Sequence, residues 1–179
     1  MTNAETSRPA LPALSLDYQA GLFTSTLTGA FGAEFTGVVL AYREHRTLWP
    51  SAGEAHRLPL CVDGSVYGPC PCGFAAWGVD GEPPECAEEL SLLLWSDEGA
   101  QVVTITARRS MVKPIEQYLG MKALLGGELH DQQVILRMTP QGDLHRLTLL
   151  PGPLLDQQAR ERMAGVAQRV QASGLWEGL

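Results

Sequence analysis

All four cysteines of this 179-residue chain lie in one short segment, and no other residues are spaced so clearly for chemistry. They are Cys61, Cys70, Cys72 and Cys86, separated by eight, one and thirteen intervening residues. Zn²⁺ prefers four thiolates arranged as a tetrahedron. The cluster therefore predicts one structural zinc, because a closed set of four thiolates has no open position at which to activate water.

The segment around the cysteines, residues 58–87, is dominated by glycine and proline and is expected to form a zinc knuckle rather than regular structure. With few apolar side chains of its own, such a segment depends on metal to fold. The Cys70-Pro71-Cys72 step is tighter than the usual Cys-x2-Cys pair, so unrelated thiols, a disulfide or an iron–sulfur cluster remain alternatives. His56 is the histidine nearest the cluster, but four cysteines already complete the ligand set.

Basic and aromatic side chains gather in two other places, which suggests a nucleic-acid groove. The candidate binding residues are Tyr42, Arg43, Arg46, Trp49, Arg108, Arg109, Lys113, Tyr118 and Lys122. In a single-strand groove, cations follow the phosphates while flat rings stack on the bases. The alternative is that the aromatics belong to the core or its rim and that the arginines are ordinary surface residues.

The charge balance excludes a polycation that binds nucleic acid through bulk charge, because 20 acidic and 13 basic side chains give a net charge of −7. Residues 80–98 hold seven acidic side chains and no Lys or Arg, and this acidic segment is expected to form a solvated face. No phosphate-binding loop, zinc-protease motif or nucleophile elbow occurs, so we do not expect an enzyme. No signal peptide or membrane-spanning run is recognisable, which predicts a cytoplasmic protein without membrane contact.

The elements that must position these residues are mostly strands, and the predicted class is α+β, mostly β with helices. Alternation and turn signals predict a strand at 35–42, a loop at 43–57, hairpins at 88–107 and 134–150, and a short helix near 110–122. The expected organisation is a flexible N-terminal arm at 1–17, a β-rich domain at 18–150, and a C-terminal helix and tail at 151–179.

The C-terminal helix is predicted over residues 154–172, with Pro153 at its start. Its apolar stripe consists of Leu155, Ala159, Met163, Val166 and Val170. Such a stripe must be covered, and we expect the chain's own sheet to cover it. The alternative cover is a second copy in a homo-oligomer.

Residues from Phe35 to about Leu150 resemble a family of small phage and prophage proteins. The landmarks are Phe35-Thr36-Gly37-Val38-Val39, Arg46-Thr47-Leu48-Trp49, Pro59-Leu60-Cys61, Cys70-Pro71-Cys72, Trp77-Gly78, Cys86, and Ser110-Met111-Val112-Lys113 through Tyr118-Leu119. The departure from the family pattern is the Cys-x-Cys step, where the family has Cys-x2-Cys.

The resemblance implies a zinc-containing, single-stranded DNA-binding protein of phage-type DNA replication and recombination. It also implies a small antiparallel barrel of the OB type, with replication or recombination proteins as further partners. The main alternative function is a zinc-stabilised adaptor or inhibitor that docks on a polymerase or another nucleic-acid machine through its acidic segment. A nuclease or other enzyme is a more distant alternative.

Overall fold

A computed structural model describes residues 11–26, 29–48, 61–63, 77–80, 82, 84–97 and 99–173. Within these ranges the strands are β1 (Leu14–Asp17), β2 (Leu22–Ser25), β3 (Gly29–Gly32), β4 (Glu34–Leu48), β5 (Cys61–Asp63), β6 (Cys86–Ser96), β7 (Gln101–Arg108), β8 (Gln132–Gln141) and β9 (Leu144–Leu154). The helices are α1 (Val112–Leu124) and α2 (Gln157–Ala172), with short 3-10 turns at Arg109–Met111 and Leu129–Asp131.

Two antiparallel sheets make up the β structure, which confirms the α+β class. The larger sheet has the order β7-β6-β4-β8-β9, and β5 also pairs with β4. The smaller sheet has the order β1-β2-β3. In the larger sheet, β4, β6 and β7 are successive neighbours, and β8 returns after α1 to lie on the other side of β4. This order is a Greek key, and both predicted hairpins are present as β6–β7 and β8–β9.

The prediction of a loop from residue 43 is wrong for the described residues, because β4 continues to Leu48. Its second half pairs with β6, and its last three residues also pair with β5. Backbone pairing with β6 along the whole stretch, and with β5 at its last three residues, holds these polar residues in a strand. The first half of β4 packs closely as well: a Cβ on Gly37 would lie 2.5 Å from the Trp95 carbonyl oxygen.

Each face of the larger sheet carries a separate hydrophobic core. One core contains Phe35, Leu92, Ile105 and Leu136 and is covered by α1 through Ile115, which is fully buried. The second core lies on the opposite face and is covered by α2. Its members are Val38, Leu40, Ala41, Leu93, Met163, Val166 and Ala167, with Leu155 and Val170 partly buried against them. The chain's own sheet therefore covers the predicted stripe of the C-terminal helix.

The start of α2 differs from the prediction. Pro153 lies in β9, and the helix is capped instead by Asp156, whose side chain accepts a hydrogen bond of 2.8 Å from the Ala159 amide. A carboxylate at the N-cap satisfies a helical N–H that otherwise lacks a partner, which explains the later start. Among the described residues, no helix combines the length and apolar character needed to span a membrane.

The N-terminal segment contributes more structure than a flexible arm would. Residues 1–10 lie outside the described part of the chain, but β1 falls within the predicted arm. The segment is joined to both edge strands of the larger sheet. The Thr104 amide donates to the Pro12 carbonyl at 2.8 Å, and the His145 amide donates to the Tyr18 carbonyl at 2.8 Å. The small sheet thus lies beside the middle of β7 and the start of β9.

Candidate nucleic-acid interface and metal centre

Two of the four predicted zinc ligands lie at the same end of the larger sheet. Cys61 on β5 and Cys86 on β6 are both register partners of Leu48 on β4, one on each side. Register partners in antiparallel strands project to the same face, so both thiols share a face with the Leu48 side chain. Cys61 is exposed, whereas Cys86 is buried at 2% exposure.

The other two ligands, Cys70 and Cys72, lie outside the described residues, as do most of the predicted knuckle at 58–87 and Trp49. Within the described ranges, no group of three or more His, Cys, Asp or Glu side chains is placed to hold a metal ion. The described cysteines nevertheless fit the donor chemistry of zinc, since they bring two soft thiol ligands to one sheet end.

The register of the larger sheet divides the predicted binding residues between its two faces. Tyr42 and Arg46 alternate along one face of β4, whereas Arg43 lies on the other. Arg43 pairs with Ser91, and Arg108 pairs with Glu89 two residues away on the same strand, so Arg43 and Arg108 share a face. A single groove does not collect all of these side chains.

Glu89 is the centre of a buried polar cluster on the face shared by Arg43 and Arg108. Its carboxylate is 3% exposed, and its Oε1 lies 2.5 Å from Nε of Arg108. Its Oε2 accepts a hydrogen bond of 2.9 Å from the Thr47 hydroxyl and lies 3.2 Å from Nε2 of His45. Because a carboxylate accepts hydrogen bonds, this contact assigns the Nε2–H tautomer to His45.

The other ring nitrogen of His45 has no partner among the described residues. The ring is buried at 3% exposure, and Nδ1 makes no hydrogen bond within the described part of the chain. A proton on Nδ1 would therefore be buried without an acceptor, which is costly.

The acidic segment at 80–98 does not form one solvated face. Glu88 and Glu89 are consecutive on β6 and project to opposite sides, where Glu88 pairs with Arg46 and Glu89 with Arg108. A groove at the basic residues would need the acidic segment on the opposite face, because its carboxylates would repel phosphates, and the pairing of Glu89 with Arg108 does not place it there. The strands that carry the two charge types are direct neighbours, and the ion pairs remove part of the predicted repulsion.

Two of the predicted binding residues lie inside the fold. Tyr118 is 2% exposed within the core beneath α1, and burial raises the pKa of its phenol. Lys122 is 4% exposed. A Cβ added to Gly127 would lie 3.2 Å from the Lys122 ammonium and 3.6 Å from the Asp131 carboxylate, so both groups border that glycine. Neither Tyr118 nor Lys122 is available to a surface groove.

The sequence contained a signal for this burial. Ile115, Tyr118 and Lys122 are three and four residues apart, which places them on one face of α1. Ile115 anchors that face in the core. Lys113 falls on the exposed side of α1 and remains accessible.

The arginines at the end of β7 line a cleft of about 770 Å³. Its walls come from β7, the following 3-10 turn, the first strand of the small sheet and the start of β9. Arg108 and Arg109 share these walls with Tyr18 and His145, which the sequence analysis did not single out. The sequence carries a signal only for the local turn after Tyr18. There the Asp17 carboxylate accepts hydrogen bonds from the amides of Gln19 and Ala20.

Tyr18 and His145 are held by the contacts that join the small sheet to β9. The Tyr18 carbonyl accepts the His145 amide at 2.8 Å and lies 3.2 Å from Nδ1 of the same residue. Burial raises the pKa of the Tyr18 phenol, an effect that the nearby Arg108 partly opposes. The phenol is therefore neutral at pH 7 and lies close enough to Arg108 to interact electrostatically.

No protein-family model, curated protein or solved structure matches this chain.

Proposed function

We propose that this protein binds single-stranded DNA with little sequence preference, through a β-barrel of the OB type that a structural zinc stabilises. The observation that carries the proposal is the cationic cleft at the end of β7, beside a six-stranded sheet in which β4, β6, β7, β8 and β9 follow a Greek-key order. The resemblance to phage and prophage single-strand-binding proteins over the same residues points in the same direction and suggests a role in replication or recombination.

The strand order supports an OB-type architecture. An OB fold is a five-stranded, partly open Greek-key barrel that binds oligonucleotides on the face of its second and third strands. The corresponding strands here are β4, β6, β7, β8 and β9, with α1 between the third and the fourth. The Pro12 carbonyl is hydrogen-bonded to β7 and the Tyr18 carbonyl to β9. We propose that the N-terminal segment spans the gap between these two edge strands.

The charges beside the cleft suit a phosphate backbone. Arg108 is the last residue of β7 and projects to the same face of the sheet as its register partner Glu89 on β6. Arg109 follows it directly, in the 3-10 turn. Arg109 is exposed and forms no ion pair with any described residue. Tyr18 supplies a ring in the same cleft, so a cation and a stacking surface occur together, as single-strand recognition requires.

The zinc proposal rests on Cys61 and Cys86 at the same end of β4. We propose that Cys70 and Cys72 complete the set and that the metal joins the end of the paired strands β5, β4 and β6, with β4 in the middle, to the segment between β5 and β6. The metal would stabilise the fold without taking part in a reaction, since four thiolates leave no open coordination position.

The test is binding to a fluorescein-labelled oligo-dT of about 30 nucleotides, about two sites of ordinary OB-fold size, over a range of salt concentrations. Affinity should fall as salt rises, because phosphate contacts release counterions. Arg109→Ala should weaken binding and lower the salt slope by about one unit. Arg109 is a better target than Arg108, whose removal would break its ion pair with the buried Glu89 carboxylate.

Arg137→Ala is the matched control, because Arg137 is half-exposed on β8 and pairs with Glu34 away from the cleft. Its binding curve should overlay that of the wild type. If the wild-type protein does not bind the oligonucleotide at low salt and micromolar concentration, the proposal fails and the adaptor function takes its place. The adaptor function has less support, because Glu88 and Glu89 are engaged in ion pairs on opposite faces of β6.

A further inference from the structure

We propose that the cleft between the N-terminal small sheet and the end of β7 binds a single nucleotide unit, with its phosphate at Arg108 and Arg109 and its base against Tyr18. This inference rests on the proposed function and deepens it, because it names one subsite and the chemistry that the subsite recognises. The same chemistry is present in a free nucleoside monophosphate and in one unit of a DNA strand.

The size of the cleft suits a small ligand. Its volume of about 770 Å³ lies within the range of roughly 300–1,000 Å³ that is usual for small-molecule sites. The walls are mixed, with apolar side chains from Leu16 and Met111 beside polar groups at the strand end. Leu144 lies at the same cleft and is 54% exposed, which leaves apolar surface available for a ligand to cover.

The electrostatics of the cleft favour an anion. Two arginines line it, and none of its described lining residues is acidic. Glu89 binds Arg108 from the buried side, through Nε, which fixes the guanidinium at the wall instead of leaving it to move freely in solvent. Planar guanidinium groups are the usual partners of phosphate because they donate several hydrogen bonds in a fixed geometry.

Arg109 is positioned by an uncommon backbone conformation. Its φ is +52°, in the left-handed region that residues other than glycine seldom occupy. This conformation turns the chain sharply from β7 into the 3-10 turn and places consecutive arginines on the walls of one cleft. In an extended strand, consecutive side chains would project to opposite faces.

The aromatic part of the site is Tyr18. Tyr18 lines the cleft, and its side chain is partly buried against the first core. Its neutral phenol lies near Arg108, and its backbone is anchored by His145. A ring of this kind offers a flat apolar face to any of the four bases, so the subsite should show little base preference. A phosphate at one end and a base at the other account for both the charged and the apolar walls.

The experiment is isothermal titration of the full-length protein with dTMP, thymidine and inorganic phosphate at low salt. We expect dTMP to bind more tightly than either part alone. Arg109→Ala should weaken dTMP binding about tenfold, as the loss of one charge-assisted contact does. Tyr18→Ala should weaken it by a similar factor, and Tyr18→Phe should retain most of the affinity because the ring remains.

Arg160→Ala on α2 is the control for a lost surface charge, since Arg160 is exposed outside the cleft. Thermal melting identifies any variant that fails to fold, and Arg109→Ala with Tyr18→Phe keeps the test available if Tyr18→Ala unfolds. Equal dTMP affinity in the wild type and in Arg109→Ala would overturn the inference. So would phosphate binding as tightly as dTMP, because the base would then make no contact.

The oligonucleotide titration separates this inference from the proposed function. If the protein binds the 30-nucleotide oligo-dT but not dTMP at millimolar concentration, the single-strand function stands and the nucleotide subsite is refuted. If dTMP binds and the oligonucleotide binds no more tightly than dTMP, the subsite stands and the single-strand function is refuted. Failure of both ligands refutes both proposals.

Discussion

Glu89 and Arg108 face each other across β6 and β7, with a buried carboxylate oxygen 2.5 Å from Nε of the guanidinium. The two residues come from segments of opposite charge, Glu89 from the acidic segment at 80–98 and Arg108 from the basic residues that follow it. Their pairing brings the segments together and places the guanidinium on the wall of the cleft. Because Glu89 also holds His45 and Thr47, this one carboxylate organises the polar end of the sheet.

Glu89→Gln should lower the free energy of unfolding by about 1–3 kcal/mol, because it weakens charge-assisted hydrogen bonds at a buried position. The matched control is Glu88→Gln, one residue earlier on the same strand. Glu88 also pairs with an arginine, but its side chain is 54% exposed, so its loss should cost only about 0–1 kcal/mol. Urea unfolding measures both. Equal effects of the two variants would contradict the central role of Glu89.

Zinc content should depend on the two cysteines beside Leu48. The purified wild-type protein should contain about one zinc per chain, and Cys61→Ser should abolish or strongly reduce it. Cys61 is the better target because it is exposed, whereas replacing the buried Cys86 also disturbs packing. Metal analysis and melting with and without chelator provide the measurement. A zinc-free protein whose melting is unaffected by chelation would refute the metal site.

Tyr118→Phe should stabilise the fold. The Tyr118 hydroxyl is buried and makes no hydrogen bond to any described residue, so its removal should raise the free energy of unfolding by about 1 kcal/mol. Tyr42→Phe, at a position 45% exposed, should change it little. Destabilisation by more than about 1 kcal/mol would instead show that the hydroxyl makes a hydrogen bond in the folded protein.

The free energy of unfolding should also fall at high pH, where the buried Tyr118 phenol disfavours ionisation in the folded state. Burial raises the pKa of Tyr118 above its ordinary value of 10.0, so the neutral phenol is favoured in the folded state. Its contribution is fully present below pH 10 and is lost as the pH rises through the higher folded-state pKa. Tyr118→Phe should therefore lose less stability between pH 9 and pH 11 than the wild type in urea titrations. Parallel curves would contradict the prediction.

Gly21→Ala should be markedly destabilising. Gly21 has a φ of +67°, and an added Cβ would lie 2.5 Å from the His145 ring. Gly142 has a similar φ of +62° but nothing within 4 Å of an added Cβ, so Gly142→Ala should cost only the conformational penalty of about 1 kcal/mol. Gly21→Ala should cost about 1–3 kcal/mol more, because of overpacking.

The double variant Gly21→Ala with His145→Ala checks the cause of that effect. Removing the imidazole should restore most of the excess loss, since the clash is with the ring and not with backbone. Thermal unfolding of the two single variants and the double variant gives the coupling free energy. Additive losses would show that the ring is not responsible.

The sequence by itself determined the elements whose signals are local. The β6–β7 and β8–β9 hairpins follow from alternating side chains around turn residues, and the apolar stripe of α2 follows from spacings of three and four. These patterns can be recognised in the sequence because each depends only on residues a few positions apart. The antiparallel α+β class follows from the same signals.

Tertiary structure alone decided the contacts between distant residues. Arg43 to Leu48 are polar enough to resemble a loop, yet pairing with β6 makes them a strand. Tyr118 appeared suited to stacking, but the packing of α1 against the sheet buries it. The cleft combines Tyr18 with Arg108, 90 positions apart. Hydrogen bonds to the sheet edges and the burial of Leu14 and Phe23 in the first core bring them together. Local patterns carry no information on such pairings, because strand register and the edges of a sheet are set by the whole fold.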